Sequence, residues 1–223
     1  MTRAQIRARV RYILKRYAQI TFDDTEINDY INEGYTDFCV RTHCLRKHGT
    51  IAPTADTGIQ LVPTDTLRIF RAEWENTLLE IMTTRDMDLT YGDGWRTTTG
   101  TDYEIIVQDN ETLTTVRFYP ILDTTNIGSS TIALDYSYLP TEMTTDSSTT
   151  GTPAILERYH RSLADFAVSR CLDAPGAQSE MNPPLGDRFY DRYMEAVNRA
   201  RLESFHGNNV AITKSRVLSR KFI

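Results

Sequence analysis

The hydrophobic period of this chain changes twice, and that switch limits the fold more than any single motif. It is helical up to about residue 48, strand-like from Gly49, and helical again after Pro153. In the first segment Ile6, Val10, Ile13 and Tyr17 recur at helical spacing, with Arg3, Arg7, Arg11 and Lys15 along one flank. Asp23 then reads as an N-cap with Glu26 at the third helical position, and Phe22 and Ile27 are placed for a hydrophobic staple. Ile27, Ile31, Gly34 and Phe38 form the apolar stripe of this second helix, with Tyr30 and Tyr35 beside it. A short connection at 18–21 predicts a helical hairpin ending near 42–48.

The middle of the chain alternates with period two. Segments 58–63, 67–74, 102–108, 112–120 and 130–140 read as strands, with a hairpin-type turn at Asp109-Asn110. Threonine is roughly one residue in seven overall and about a quarter of residues 50–152, which suits exposed strands and capped turns. Residues 83–102 read as a long loop with at most one helical turn, and 140–153 as a polar linker with almost nothing to bury. After it, Thr152 is placed to cap and Pro153 to open a helix whose buried face is Ile155, Tyr159, Leu163, Phe166 and Ala167. A last helix carries Phe189, Tyr193, Val197 and Ala200 on one side and ends at His206-Gly207.

These readings give an α+β fold. A helical bundle is drawn from both chain ends (1–48 and 152–207), around a β-rich insertion at 49–151, a small sandwich or barrel-like sheet. Residues 208–223 form an extended C-terminal tail.

Charge and composition narrow the function classes. The net charge is −5, so the molecule as a whole does not advertise a polyanion partner. Yet residues 1–22 hold six Arg/Lys and no acid, and no acid follows Glu203. No apolar run approaches 18 residues, which argues against a membrane-spanning helix, and no secretory signal is visible. Three cysteines, Cys39, Cys44 and Cys171, fit a reducing compartment better than a disulfide framework.

Two clusters raise the question of chemistry. Asp23, Asp24, Glu26, Asp29, Glu33 and Asp37 alternate with an unbroken helical stripe, which suits a solvated helix face rather than a calcium loop or a di-metal site. Cys39, His43, Cys44 and His48 supply zinc-type ligands, but on one helix the two Cys-His pairs diverge too far to close a tetrahedron. His160, Ser162 and Asp165 lack an oxyanion-forming turn, and GDG at 92–94 reads as a tight turn. No catalytic, cofactor or metal residues are therefore expected. The basic first helix and the acidic second one suggest complementary charge, across the hairpin or between subunits: Arg3, Arg7, Arg11 and Lys15 against Asp24, Asp29 and Glu33. In the tail, Val217, Leu218, Phe222 and Ile223 among Lys214, Arg216, Arg220 and Lys221 suit docking onto a partner.

The ordered set of segments resembles the tailed-bacteriophage head-to-tail adaptor (connector) family. It consists of the basic helix, FDDTEINDYINEGYTDF, QLVPTDTLRIFRAEW, GDGWRTTTGTDYEI, RFYPIL, and the run from LDYSYLPTEM to LADFAVSRCL. The resemblance implies a non-enzymatic virion protein in the neck, assembled in the host cytoplasm. It would form a homo-oligomeric ring, commonly of twelve copies, that docks below the portal and receives tail or nozzle proteins. Genomic DNA would pass through its channel without sequence-specific binding. The C-terminal tail would then be the portal-docking element. Another virion ring component, such as a tail-completion or tail-terminator protein, is the alternative; a small metal-dependent enzyme is the alternative of a different class.

Overall fold

The computed structural model describes residues 1–17, 22–108, 114–128, 130–147, 150–174 and 184–218, apart from the side chains of Tyr17, Pro184 and 205–218. It is an α+β protein whose chain divides into two compact units, Met1–Cys44 with Pro140–Ile223, and Leu45–Leu139. These limits differ from the sequence expectation at two places. Residues 46–48 belong to a strand, and 140–151 belong to the helical unit.

The helical unit is built from α1 (Arg3–Tyr17), α2 (Asp24–Thr42), α5 (His160–Asp173) and α6 (Pro184–Leu218). Helix α5 is the central element, packing against α1, α2 and α6. Accordingly it is buried nearly all round, and its two buried serines satisfy themselves locally: Ser162 and Ser169 hydroxyls donate to the carbonyls of Tyr159 and Phe166, each at 2.7 Å. The buried stripe of α1 is Ile6, Val10 and Leu14, so Leu14 rather than Ile13 completes it. In α2 the predicted capping box is present: Asp23 Oδ1 accepts from the Glu26 amide (2.8 Å) and Glu26 Oε2 from the Asp23 amide (3.2 Å). Ile27, Ile31, Gly34 and Phe38 are buried as the stripe requires. Phe189, Tyr193, Val197 and Ala200 are likewise buried on α6.

α2 stops at Thr42, at the near edge of the expected range, because His43 turns left-handed (φ 49°) and its amide caps Cys39 O at 2.9 Å. Two other helix boundaries differ from expectation. Thr152 and Pro153 do not open a helix. The Ala154 amide donates to the Tyr35 hydroxyl (2.9 Å), and the chain makes a 3-10 turn at Glu157–Tyr159 before α5 begins at His160. Finally, α6 does not stop at His206-Gly207 but runs to Leu218, so 208–218 is helical rather than extended. An interior glycine costs only about 1 kcal/mol relative to alanine, and no proline follows to enforce a stop. Residues 219–223 lie outside the described residues, as does the expected turn at Asp109-Asn110.

The β unit contains β1 (Arg46–Ile51), β2 (Ile59–Leu61), β3 (Thr66–Trp74), β4 (Thr77–Leu78), β5 (Glu80–Met82), α3 (Thr84–Tyr91), β6 (Thr99–Gly100), β7 (Ile105–Val107), β8 (Thr115–Tyr119), β9 (Ile121–Leu122), α4 (Thr124–Ile127) and β10 (Ile132–Tyr138). Two four-stranded sheets, ordered β1-β10-β3-β4 and β2-β8-β7-β5, share one core, and β6 pairs with β9 alone. β1 and β10 run antiparallel from Arg46 opposite Ser137 to Ile51 opposite Ile132. Trp74, Tyr103 and Phe118 form the aromatic centre of the core, with neighbouring ring centroids 5.1 and 5.2 Å apart. The segment read as a long loop is ordered. Thr83 and Asp86 make a capping box for α3, and Met87 and Trp95 cover Ile105 and Val107 in a second small core. Trp95 Nε1 donates to Asp88 Oδ1 at 2.7 Å, and Arg96 pairs with the same carboxylate, holding it below the usual aspartate range.

Candidate assembly surfaces

The segment 140–153 was expected to bury almost nothing, yet in the helical unit its residues Met143–Asp146 form a strap bound to α1 and α2. Asn32 clamps the Met143 backbone from both sides: its Oδ1 accepts from the Met143 amide (3.1 Å) and its Nδ2 donates to the Met143 carbonyl (3.4 Å). The Met143 side chain is fully buried. Arg3 donates to the carbonyls of Met143 and Thr144, and its Nε reaches Asp146 Oδ1 at 3.0 Å. Arg7 Nη2 takes Asp146 Oδ2 at 2.7 Å, so two guanidiniums share one carboxylate. Arg7, then Arg3, hold that carboxyl below the usual aspartate range. Asn32 carries no periodic sequence signal for this role; the lone apolar Met143 in a polar stretch was the available clue.

Of the seven charges expected to be complementary across the hairpin or between subunits, five are matched within this one. Arg3 and Arg7 hold Asp146, Arg7 and Arg11 reach Asp24, and Glu33 pairs with Arg170 of α5. Lys15 and Asp29 have no ion-pair partner among the described residues. Asp37 is also engaged inside the unit: Arg41 Nε pairs with it at 2.7 Å and the buried Tyr193 hydroxyl donates to it at 2.7 Å. Burial first, and then that carboxylate, raise the Tyr193 phenol. Further along α6, Glu203 accepts from the Tyr159 hydroxyl (2.7 Å) and pairs with Arg158; these contacts hold it below the ordinary glutamate range.

Two outward faces remain. Away from the core, α2 and the strap line an open groove with Asp29, Asn32, Glu33, Asp37, Val40 and Glu142. On α1 the exposed residues include Arg9, Arg11, Tyr12, Lys15 and Arg16, and the helix contains no acid. The tail residues Lys214, Arg216, Val217 and Leu218 fall on helical backbone with side chains outside the described set, and Arg220, Lys221, Phe222 and Ile223 lie wholly outside it.

The residues that raised a chemical question serve structure. Cys39 is buried against Cys44, and that hydrogen bond, followed by burial, pushes its thiol well up. His43 is the helix cap, whereas His48 sits on β1 with its Nδ1 2.9 Å from Asp135 Oδ1. Among the described residues no group of three His, Cys, Asp or Glu could hold a metal ion. His160 Nε2 faces the Ile155 carbonyl at 2.9 Å and Ser162 bonds its own helix, so they make no nucleophile–base pair. No helix among the described residues is long and apolar enough to cross a membrane.

Residues 1–212 match the family described as SU10 adaptor protein, and the chain belongs to that family of phage head-to-tail adaptors. The family is structural and places the chain in the virion neck, in contact with portal and tail proteins. No curated protein shows significant similarity to the chain.

Proposed function

We propose that copies of this chain close into a ring, commonly of twelve, that docks beneath the portal, extends the DNA channel and offers the platform on which the tail is built. The match of residues 1–212 to the adaptor family carries this reading. A ring subunit needs two different side faces that fit each other, a heterologous contact that closes. The net charge of −5 fits a lumen through which DNA slides, since each neutralised phosphate would add salt-dependent affinity. Portal docking is assigned to the end of the chain, through Lys214, Arg216, Val217, Leu218, Arg220, Lys221, Phe222 and Ile223. In this arrangement Arg3, Arg7, Arg11, Asp24 and Glu33 shape each subunit before they can face a neighbour, and Lys15 and Asp29 are the expected interface charges left for it. The ring assembles in the host cytoplasm and uses no cofactor.

Imaging portal particles mixed with the full chain tests the reading, alongside a variant lacking residues 208–223. The full chain is expected to add a ring of density below the portal; the truncated chain is expected to remain folded and unattached. Absence of added density with the full chain overturns the adaptor arrangement. Normal docking of the truncated chain removes the tail from it.

A further inference from the structure

The helical unit carries two unmatched faces of opposite sign. On α1, Arg9, Tyr12 and Lys15 follow at three-residue steps along one side, and Tyr12 is 69% exposed. Neither Arg9 nor Lys15 has an ion-pair partner among the described residues, Arg9 acting on the half-buried Asp165 only at longer range. In the groove on α2 and the strap, Asp29 and Glu142 are equally without an ion-pair partner among the described residues, and Val40 is an exposed apolar side chain at the C-terminal end of the row of acids. The positive face thus has an aromatic at its centre, and the negative groove an apolar side chain at one end.

We propose that the outward face of α1 docks into the α2 groove of a second copy, with Tyr12 at the centre of the contact and with Arg9 and Lys15 reaching Asp29 and Glu142. The proposal rests on the ring reading only for closure; the contact itself follows from the charges. A second copy matches both faces at once. Duplex DNA would match only the cations and would be repelled by the acids of the adjoining helix. The two faces are different patches, so each copy offers one of each and the contact propagates head to tail. Tyr12 is the anchor, because a large exposed aromatic gains most from desolvation, while the flanking charges set register and reject the wrong face.

Charge reversal on the full chain tests this by sedimentation velocity. Wild type is expected to self-associate, more weakly as salt rises. Arg9→Glu with Lys15→Glu reverses one face, and Asp29→Lys with Glu142→Lys reverses the other. Each double variant alone is expected to lose association on the order of a hundredfold, because like charges then meet across the contact. An equimolar mixture of the two is expected to recover it, since every contact between unlike copies is again complementary. A misfolded variant would show no recovery and an altered circular-dichroism spectrum; Tyr12→Ala, at an exposed site, then decides, and unchanged self-association in that variant overturns the contact. Wild type that stays monomeric at its highest soluble concentration also overturns it, as does failure of two folded reversal variants to rescue each other. Duplex binding by wild type at physiological salt that is lost in Arg9→Glu/Lys15→Glu would assign the α1 face to nucleic acid instead. Portal docking by a monomeric wild type would leave the adaptor reading standing and defeat only this contact.

Discussion

A Cβ at position 34 would lie 2.7 Å from Phe166 Cδ1, so the glycine on the α2 stripe is what lets Phe166 of α5 pack directly on α2, while the Tyr193 hydroxyl of α6 donates to the Gly34 carbonyl at 3.2 Å. Gly34→Ala is therefore expected to destabilise the chain by about 1–3 kcal/mol, although alanine is the better helix former. A lower urea midpoint with an unchanged m-value would show it; an equal or higher midpoint would refute it. Asp146 makes a different prediction, through pH. Arg7 and Arg3 lower its folded pKa, so its contribution is present above the unfolded aspartate pKa of about 3.9 and is lost as pH falls through the lower folded value. The stability difference between wild type and Asp146→Asn, followed by denaturant titration, should hold from neutral pH to about 5 and shrink below about 4. A difference independent of pH down to acid unfolding would contradict the shared-carboxylate geometry.

At the scale of elements, periodicity and capping chemistry were legible where they occurred together. The capping box at Asp23 and Glu26 was found because an apolar stripe followed it; the same device at Thr83 and Asp86 was missed because α3 buries only Met87. Thr83→Ala is expected to cost about 1 kcal/mol. Amide exchange should speed up in α3 and the 3-10 turn Asp93–Thr97 while β3 and β10 keep their protection; uniform acceleration would mean that α3 is integral to the main β core. The start of α5 was misplaced for another reason. Thr152-Pro153 has the chemistry of a helix start, but the Tyr35 hydroxyl, 119 residues earlier, takes the Ala154 amide. The strap was hard to read for the same reason, since Asn32 binds backbone and only the lone apolar Met143 marks the segment. Of the charged set, residue type and helix were readable, but that Arg3 and Arg7 meet Asp146 depends on the path of the strap. Even the tail followed this rule: Gly207 looks like a stop locally, and the helix continues through it.

At the scale of the whole molecule, the two ends of the β unit lie side by side. The Tyr138 amide donates to the Leu45 carbonyl at 3.2 Å, at the paired ends of β1 and β10. Replacing Leu45–Leu139 by a short Gly-Ser linker is expected to leave the helical unit folded, with cooperative thermal unfolding and a helix-dominated circular-dichroism spectrum; loss of cooperativity would show that the two units are thermodynamically one. The same arrangement has a consequence during synthesis. α1 and α2 leave the ribosome early, with Ile6, Val10, Ile27, Ile31 and Phe38 on their apolar stripes, but α5, which packs against both helices, begins only at His160. At 5–20 residues per second those apolar stripes wait on the order of ten seconds for their partner. The β unit, complete by Leu139, can fold in that interval, and the nascent helical hairpin meanwhile offers chaperones their clearest point of engagement.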